Sequence, residues 1–375
     1  MTAQYAGMSQ PYSSTMTAAD YQLTQYVYNN LGQLTALIDP LGQTETYAYD
    51  ANGSLITKVL RDGKVNRITY NALGSVVTDN IYANATAATP LSAKSYTYYP
   101  TGAVASVTED GTTMSYTYDE RGNVLTETTG TTVNTYTYDH CSNRTSHTLT
   151  VGGTTVSSET YTYDTRSRMA SMNGMQGTTT YSYYLDNSRS MEFTTPTAGK
   201  AFATMYSYGA TGILSAMATL DPNSPTTCYS EHTYTYYMDG NVYTETDTVA
   251  NTTTTYTYDN AGRLKTEVSP AGTYSYTYDA AGNRASMTEN GTTTTYTYDK
   301  NNRLLTETKS GSVKSYTYDA NGNMLTGDGA TYTYDARDRQ SGVVKGTASA
   351  SYTYYPTGLH KTKLAGGANT NSQQP

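Results

Sequence analysis

The pattern Tyr-x-Tyr-Asp returns along this 375-residue chain about every 20 residues, and such a period means an array of like units rather than one irregular globule. Strict copies are Tyr47, Tyr49 and Asp50; Tyr116, Tyr118 and Asp119; Tyr136, Tyr138 and Asp139; Tyr161, Tyr163 and Asp164; Tyr256, Tyr258 and Asp259; Tyr276, Tyr278 and Asp279; Tyr296, Tyr298 and Asp299; Tyr316, Tyr318 and Asp319; and Tyr332, Tyr334 and Asp335. Looser copies start at Tyr26, Ile68, Tyr96, Tyr181, Tyr206, Tyr234 and Tyr352, which makes sixteen in all. The longer gaps between copies, near 82–93 and 214–231, read as loop insertions.

One unit predicts its own structure. In YTYDNAGRLKTEVSPAGTYSYTY, from Tyr256 to Tyr278, the first two tyrosines are two residues apart and share one face of a strand, with Thr257 on the other. Asp259 opens and Gly262 closes a four-residue type I turn signature, repeated at Asp279 with Gly282 and Asp319 with Gly322. The Asp carboxylate is placed to accept backbone N–H groups of its own turn. A second strand follows from Arg263 to Val268, then a turn over Ser269–Gly272, then the next tyrosine strand. Sixteen such units give about thirty antiparallel strands of 6–8 residues.

Composition decides what can lie between those strands. Leu, Ile, Val and Phe together number 44, too few for a conventional aliphatic core, while there are 42 Tyr and no Trp. Disorder would need high net charge with few aromatics; net charge here is −8 and aromatics are 12%. Tyr therefore takes over burial, and its hydroxyl wants a partner or water. Sheets of more than about ten strands curl, close or split. The expected fold class is all-β: a spiral of antiparallel β-hairpins forming a curved, hollow shell or part of one. Residues 1–20 are expected as a lead-in, 21–363 as the repeat region, and 364–375 as a disordered tail.

The bulk numbers also narrow the partners. A pI near 5.0 and no basic stripe argue against nucleic acid. No apolar run approaches a membrane span, and the first residues lack the basic and apolar regions of a signal peptide. No cofactor or metal is expected. The loop Asp319-Ala320-Asn321-Gly322-Asn323 begins like an EF-hand but has Met324 at position six and Ala330 at position twelve. His140, His147, His232 and His360 show no zinc spacing and are expected as surface loop residues. Cys141 and Cys228 are expected as ordinary thiols, the first in a turn. No catalytic set stands out from the many Ser and Thr residues.

The stretches YTYDERGNVLTE (Tyr116–Glu127), YTYDAAGNRASMTENG (Tyr276–Gly291), YTYDANGNMLTG (Tyr316–Gly327) and DPLGQTETYAYDANGSL (Asp39–Leu55) resemble the RHS or YD repeats of bacterial Rhs toxins, Tc toxin B and C components, wall-associated proteins and teneurins. The resemblance covers about residues 21–364. It implies a hollow shell of hairpins that, in the toxins, encloses a C-terminal toxin and is plugged by a core region. Neither a core nor a toxin domain is legible, and Asp39-Pro40-Leu41-Gly42 reads as a repeat turn rather than as the core's terminal signature. The expected function is a non-enzymatic shell segment that encapsulates or displays a C-terminal effector on a secreted or cell-surface protein. Its partners would be the rest of a larger RHS protein or a capping partner. The rival reading is an extracellular adhesin or carbohydrate-binding array, since Tyr faces stack on glycans and weak sites add by avidity.

Overall fold

A computed structural model describes residues 2–6, 22–366 and 368–371. Among the described residues there is no helix; 35 strands follow one another from Thr2–Ala6 to Ala368–Asn371. Consecutive strands pair antiparallel, 28 in one sheet and seven in a second. The sheets are divided only at Tyr316, whose N–H still donates to Leu305 O at 2.9 Å. The expected lead-in and tail lie largely outside the described residues. Within them, Thr2–Ala6 pairs with Gln22–Tyr28, and Ala368–Asn371 pairs with His360–Ala365.

Each unit is a hairpin with two kinds of turn. Asp259 N–H donates to Arg263 O at 2.9 Å and Gly262 N–H to Asp259 O at 3.0 Å. Gly262 has φ +75°. That is the type I turn with a bulge that the sequence predicts. The register shifts just before the second tyrosine, pairing Tyr258 with Leu264, and does so equally at Tyr118, Tyr138 and Tyr354. Several return turns are tighter: Asn290 and Gly291 both have positive φ, 47° and 84°, as a two-residue type I′ hairpin requires. In a meander of this kind the Asp turns lie along one rim of the sheet and the return turns along the other. Asp39–Gly42 is a return turn, closed by Gly42 N–H to Asp39 O at 2.9 Å.

The two faces differ as the alternation predicts. Along Thr112–Tyr118 the residues Met114, Tyr116 and Tyr118 are buried or half-buried, and Thr113, Ser115 and Thr117 are exposed. Few aliphatic side chains are fully buried among the described residues: Val65, Ile81, Val107, Met114, Leu149, Ala203 and Ala330. The tyrosine face carries the burial instead.

The chain divides into two compact units. The first comprises Met1–Met114, Thr277–Met287 and Thr292–Pro375; the second, Ser115–Tyr276 and Thr288–Gly291. Within the first unit, late Asp turns lie against early return turns. Asn301 Nδ2 donates to Asp39 Oδ2 at 2.7 Å, Asp62 N–H to Asn321 Oδ1 at 3.2 Å, and Arg337 Nη1 to Asp79 Oδ1 at 3.2 Å. The Lys94 ammonium donates to Pro356 O. These four pairs are 258 to 262 residues apart in sequence, and other contacts along the seam range from 228 to 280. Among the described residues no strand pairing crosses it.

The turn geometry gives a direct test. Gly122 has φ +87°, and a Cβ at that position would meet nothing within 4 Å. Gly122→Val therefore meets no clash, so its cost is backbone strain alone, about 1–2 kcal/mol. The denaturation midpoint should fall accordingly, and an unchanged midpoint would show that this turn does not hold the hairpin.

Candidate functional site

The repeated Tyr-Asp set is the candidate site, and its chemistry is that of a joint. Asp259 Oδ1 accepts Ala261 N–H at 2.9 Å and Arg263 N–H at 3.0 Å, and Oδ2 accepts Arg263 Nε at 2.7 Å. The Asp119 and Asp139 turns are built alike, with Asn123 and Asn143 amides in place of the guanidinium. Side-chain bonds from Asn123, Asn143 and Arg263 hold the Asp119, Asp139 and Asp259 carboxyls below their ordinary value, helped by backbone N–H groups. Asp319, the start of the EF-hand-like stretch, spends both oxygens the same way on Asn323.

The residue five places into the turn also reaches the next repeat. Asn123 Nδ2 donates on to Ser142 Oγ (3.1 Å), Asn143 Nδ2 to Ser167 Oγ (3.3 Å), Arg168 Nη1 to Asn187 Oδ1 (3.0 Å), Asn283 Nδ2 to Asn302 Oδ1 (2.8 Å) and Asn323 Nδ2 to Asp338 Oδ1 (2.9 Å). All five acceptors stand where other turns have Gly, and all have positive φ, from 58° to 74°. Left-handed backbone disfavours a side chain there; the hydrogen bond to the neighbouring repeat offsets it. Single-repeat reading misses this clamp. Its signal was present in the sequence as Ser, Asn or Asp at the glycine position, one repeat after an Asn or Arg.

The second tyrosine of the motif supplies the other joint. In at least eleven repeats its phenol donates to the backbone carbonyl that opens the second strand of the preceding repeat, among them Tyr49 to Leu34 O (2.8 Å), Tyr138 to Val124 O (2.9 Å), Tyr163 to Arg144 O (2.8 Å) and Tyr318 to Leu304 O (3.0 Å). These carbonyls lie where neighbouring strands splay. Val124–Thr129 pairs with Thr132–Tyr138 only from Thr126 with Thr135 onward, so Val124 O has no ladder partner from that side. The phenol fills the gap that the bulge opens.

The first tyrosine meets carboxylates. Tyr47 donates to Glu45 (2.6 Å), Tyr136 to Glu127 (3.1 Å), Tyr256 to Glu245 (3.2 Å) and Tyr316 to Glu307 (3.4 Å). Basic groups cover several rings: Arg168 over Tyr183, Arg284 over Tyr296 and Arg339 over Tyr354, 4.4 to 4.8 Å from the centroids. On the opposite face, Thr and Ser hydroxyls bond across strand pairs, as between Thr117 and Thr126 (2.7 Å) and Thr297 and Thr306 (2.6 Å). Tyr161, Tyr276, Tyr278, Tyr296, Tyr298, Tyr332 and Tyr334 sit in the same positions of their repeats.

The histidines correct the sequence reading. His147 lies in the strand Arg144–Val151 and is buried, not in a surface loop. Its Nδ1 is 3.0 Å from Glu159 Oε2, its Nε2 is 2.9 Å from Asn134 Oδ1, and its ring stacks on Tyr136. His232 is likewise in a strand, 3.0 Å from Glu245. Both occupy the tyrosine face, where an imidazole can serve a Glu as a phenol does; single-residue spacing gave no hint of this. Cys141 and Cys228 are free, the first exposed in its turn.

Burial raises the phenol pKa of Tyr70, Tyr98, Tyr138, Tyr163, Tyr298 and Tyr318 in the joint. For Tyr138 and Tyr163 it outweighs Arg144. For Tyr256, burial and then Glu245 push it from 10.0 up to about 12. A raised phenol pKa favours the protonated form in the folded state, so this stability is intact below pH 10 and is lost as pH rises from 10 toward 12. Tyrosinate absorbance should therefore appear late and together with loss of β-sheet signal; early, non-cooperative ionisation of most tyrosines would contradict the joint. Tyr138→Phe keeps the ring and removes one phenol bond, at a cost of about 1 kcal/mol, read as a lowered urea midpoint.

Comparison with known proteins agrees with this geometry. Residues 226–358 match the family model described as teneurin YD-shell, and residues 28–65 match that of the RHS repeat. No curated protein matches. A crystal structure titled TcdB2-TccC3-TEV aligns at TM-score 0.50 and 14% identity over 92% of this chain and 26% of its own. One titled TcdB2-TccC3-Cdc42 aligns at 0.49 and 13% over 93% and 26%, and a Photorhabdus luminescens Tc holotoxin pore at 0.43 and 14% over 94% and 26%. The chain thus spans about a quarter of the length of these solved chains. The matched segments and the repeat geometry show that the chain carries repeats of the RHS/YD type.

Proposed function

We propose that the chain is a wall segment of a container that encloses or displays a C-terminal effector or toxin on a secreted or cell-surface protein. The observation that carries this is the joint itself: phenols of one repeat bond the preceding repeat, and turn amides bond the next. The role is then steric and non-enzymatic, isolating what lies on one side of the sheet from the other. The partners would be the remainder of a larger RHS protein or a cap, as expected for a chain that covers a quarter of its similar solved structures.

Glycan binding is the second reading. It is less favoured because the rings that would stack on sugars are half-buried, hydrogen-bonded through their phenols and partly covered by Arg and Lys.

The test is to express the native reading frame continued past Pro375 and digest the product with trypsin. A wall protects a C-terminal segment until the repeats are cut. The proposal is overturned if that segment is digested as fast as it is on its own, or if no further segment is encoded and the present chain binds cell-surface glycans.

A further inference from the structure

The seam of the first unit is not filled evenly. Arg337, third residue of its turn, is long enough to span its junction: it donates to Ser92 Oγ at 2.9 Å and to Asp79 O at 2.6 Å. Asn301 holds the same place in the turn opened by Asp299, but its short side chain stops at Asp39. Beside it lies a cavity of about 420 Å³, within the size range of small-ligand sites.

One wall of the cavity is apolar. Tyr26 and Leu37 line it as a cross-strand pair. In the same pairing Tyr116, Tyr256 and Tyr296 face Glu127, Glu267 and Glu307, so Leu37 removes a carboxylate that other repeats carry. Across the seam Gln22 Nε2 donates to Asn302 Oδ1 at 2.9 Å. That bond fixes both amides and leaves the Gln22 carbonyl and the Asn302 N–H₂ to meet hydroxyl groups.

Arg61 is the side chain that the seam does not use up. It is mostly buried, 3.4 Å from Asp39 and 3.3 Å from Glu45, and its Nε has no hydrogen-bond partner among the described residues. Neither carboxylate depends on it. Asp39 accepts Leu41 N–H (3.0 Å), Gln43 N–H (2.8 Å) and Asn301 Nδ2 (2.7 Å). Glu45 accepts the Tyr47 phenol (2.6 Å) and pairs with Lys58 (2.9 Å). A guanidinium held in a cavity with its fork unspent suits a carboxylate, which it can grip with two parallel bonds. Lys300 lines the same cavity from an exposed position.

We propose that this cavity binds a sugar acid: Arg61 takes the carboxylate, Lys300 approaches it from the rim, and Gln22 and Asn302 meet the hydroxyls beside Tyr26. It is one cavity rather than a row of rings, and it is independent of whether the repeats enclose a cargo.

The test is calorimetric titration of the full chain with D-glucuronate, with D-glucose and inorganic phosphate as comparison probes. Glucuronate should bind about tenfold more tightly than either. Arg61→Lys keeps a positive charge between Asp39 and Glu45 but loses the fork, and should weaken binding about tenfold with the thermal midpoint unchanged. Asn301→Arg gives this junction the side chain that fills the other, and should block binding while Arg61 stays in place. Absence of glucuronate binding at about 10 mM overturns the proposal. So does glucose or phosphate binding as tightly, because the carboxylate or the hydroxyls would then not be read. Unchanged affinity in Asn301→Arg overturns it too, because the ligand would then sit elsewhere.

Discussion

The structure depends on a phenol reaching a backbone carbonyl one repeat away. A type I turn with its bulge splays neighbouring strands at the Asp rim, so residues such as Leu34, Val124 and Leu304 fall outside the ladder to the following strand. A buried carbonyl without a donor is costly. Phe would cover the gap and leave the acceptor unmatched; Tyr covers it and supplies the donor. This accounts for 42 tyrosines against two phenylalanines in a chain with so few aliphatics. The aromatic ring performs the burial, while the hydroxyl fixes the register between repeats.

The polar groups of the first unit act at a longer range of sequence. Glu109 is nearly inaccessible and faces Lys94, Arg337 and Arg339; Asp39 is equally buried and meets Arg61 and Asn301. Burying such ions gains little net stability, since desolvation consumes most of the attraction, but removing one partner is expensive. Late turns carry the donors, Asn301, Arg337 and Arg339, and early strands and turns carry the acceptors, Asp39, Asp79 and Glu109. Arg337 meets both Asp79 and Glu109, so one late turn is tied to two early strands at once.

The hairpins, the type I turns, the two unlike faces and the shortage of aliphatic core were legible in the sequence because each follows from local spacing. Tyr256 and Tyr258 are two apart, and Asp259 stands three before Gly262; strand and turn geometry convert these directly. What a single repeat could not show was anything joining two repeats. The Asn123 to Ser142 clamp needs residues 19 apart, and the Arg337 to Asp79 contact needs 258. His147 was misplaced for the same reason: its burial comes from Glu159 and Asn134 on the two flanking strands, not from its own neighbours in sequence.

Turns that open with Tyr rather than Asp make a physical exchange. Asp259 closes its own turn with three bonds and needs nothing outside it. Tyr184 and Tyr237 give up that carboxylate cap and use their phenols on the following repeat instead. A carboxylate two places further on still serves the turn: Asp186 accepts Ser188 N–H and Asp239 accepts Asn241 N–H. Pro356 shows such a tip buried; Leu185 and Met238 show it bare. Tyr in place of Asp thus moves one joint of the turn from its own backbone to the following repeat, so the turn tip is positioned by the neighbouring strand pair as well as by its own carboxylate.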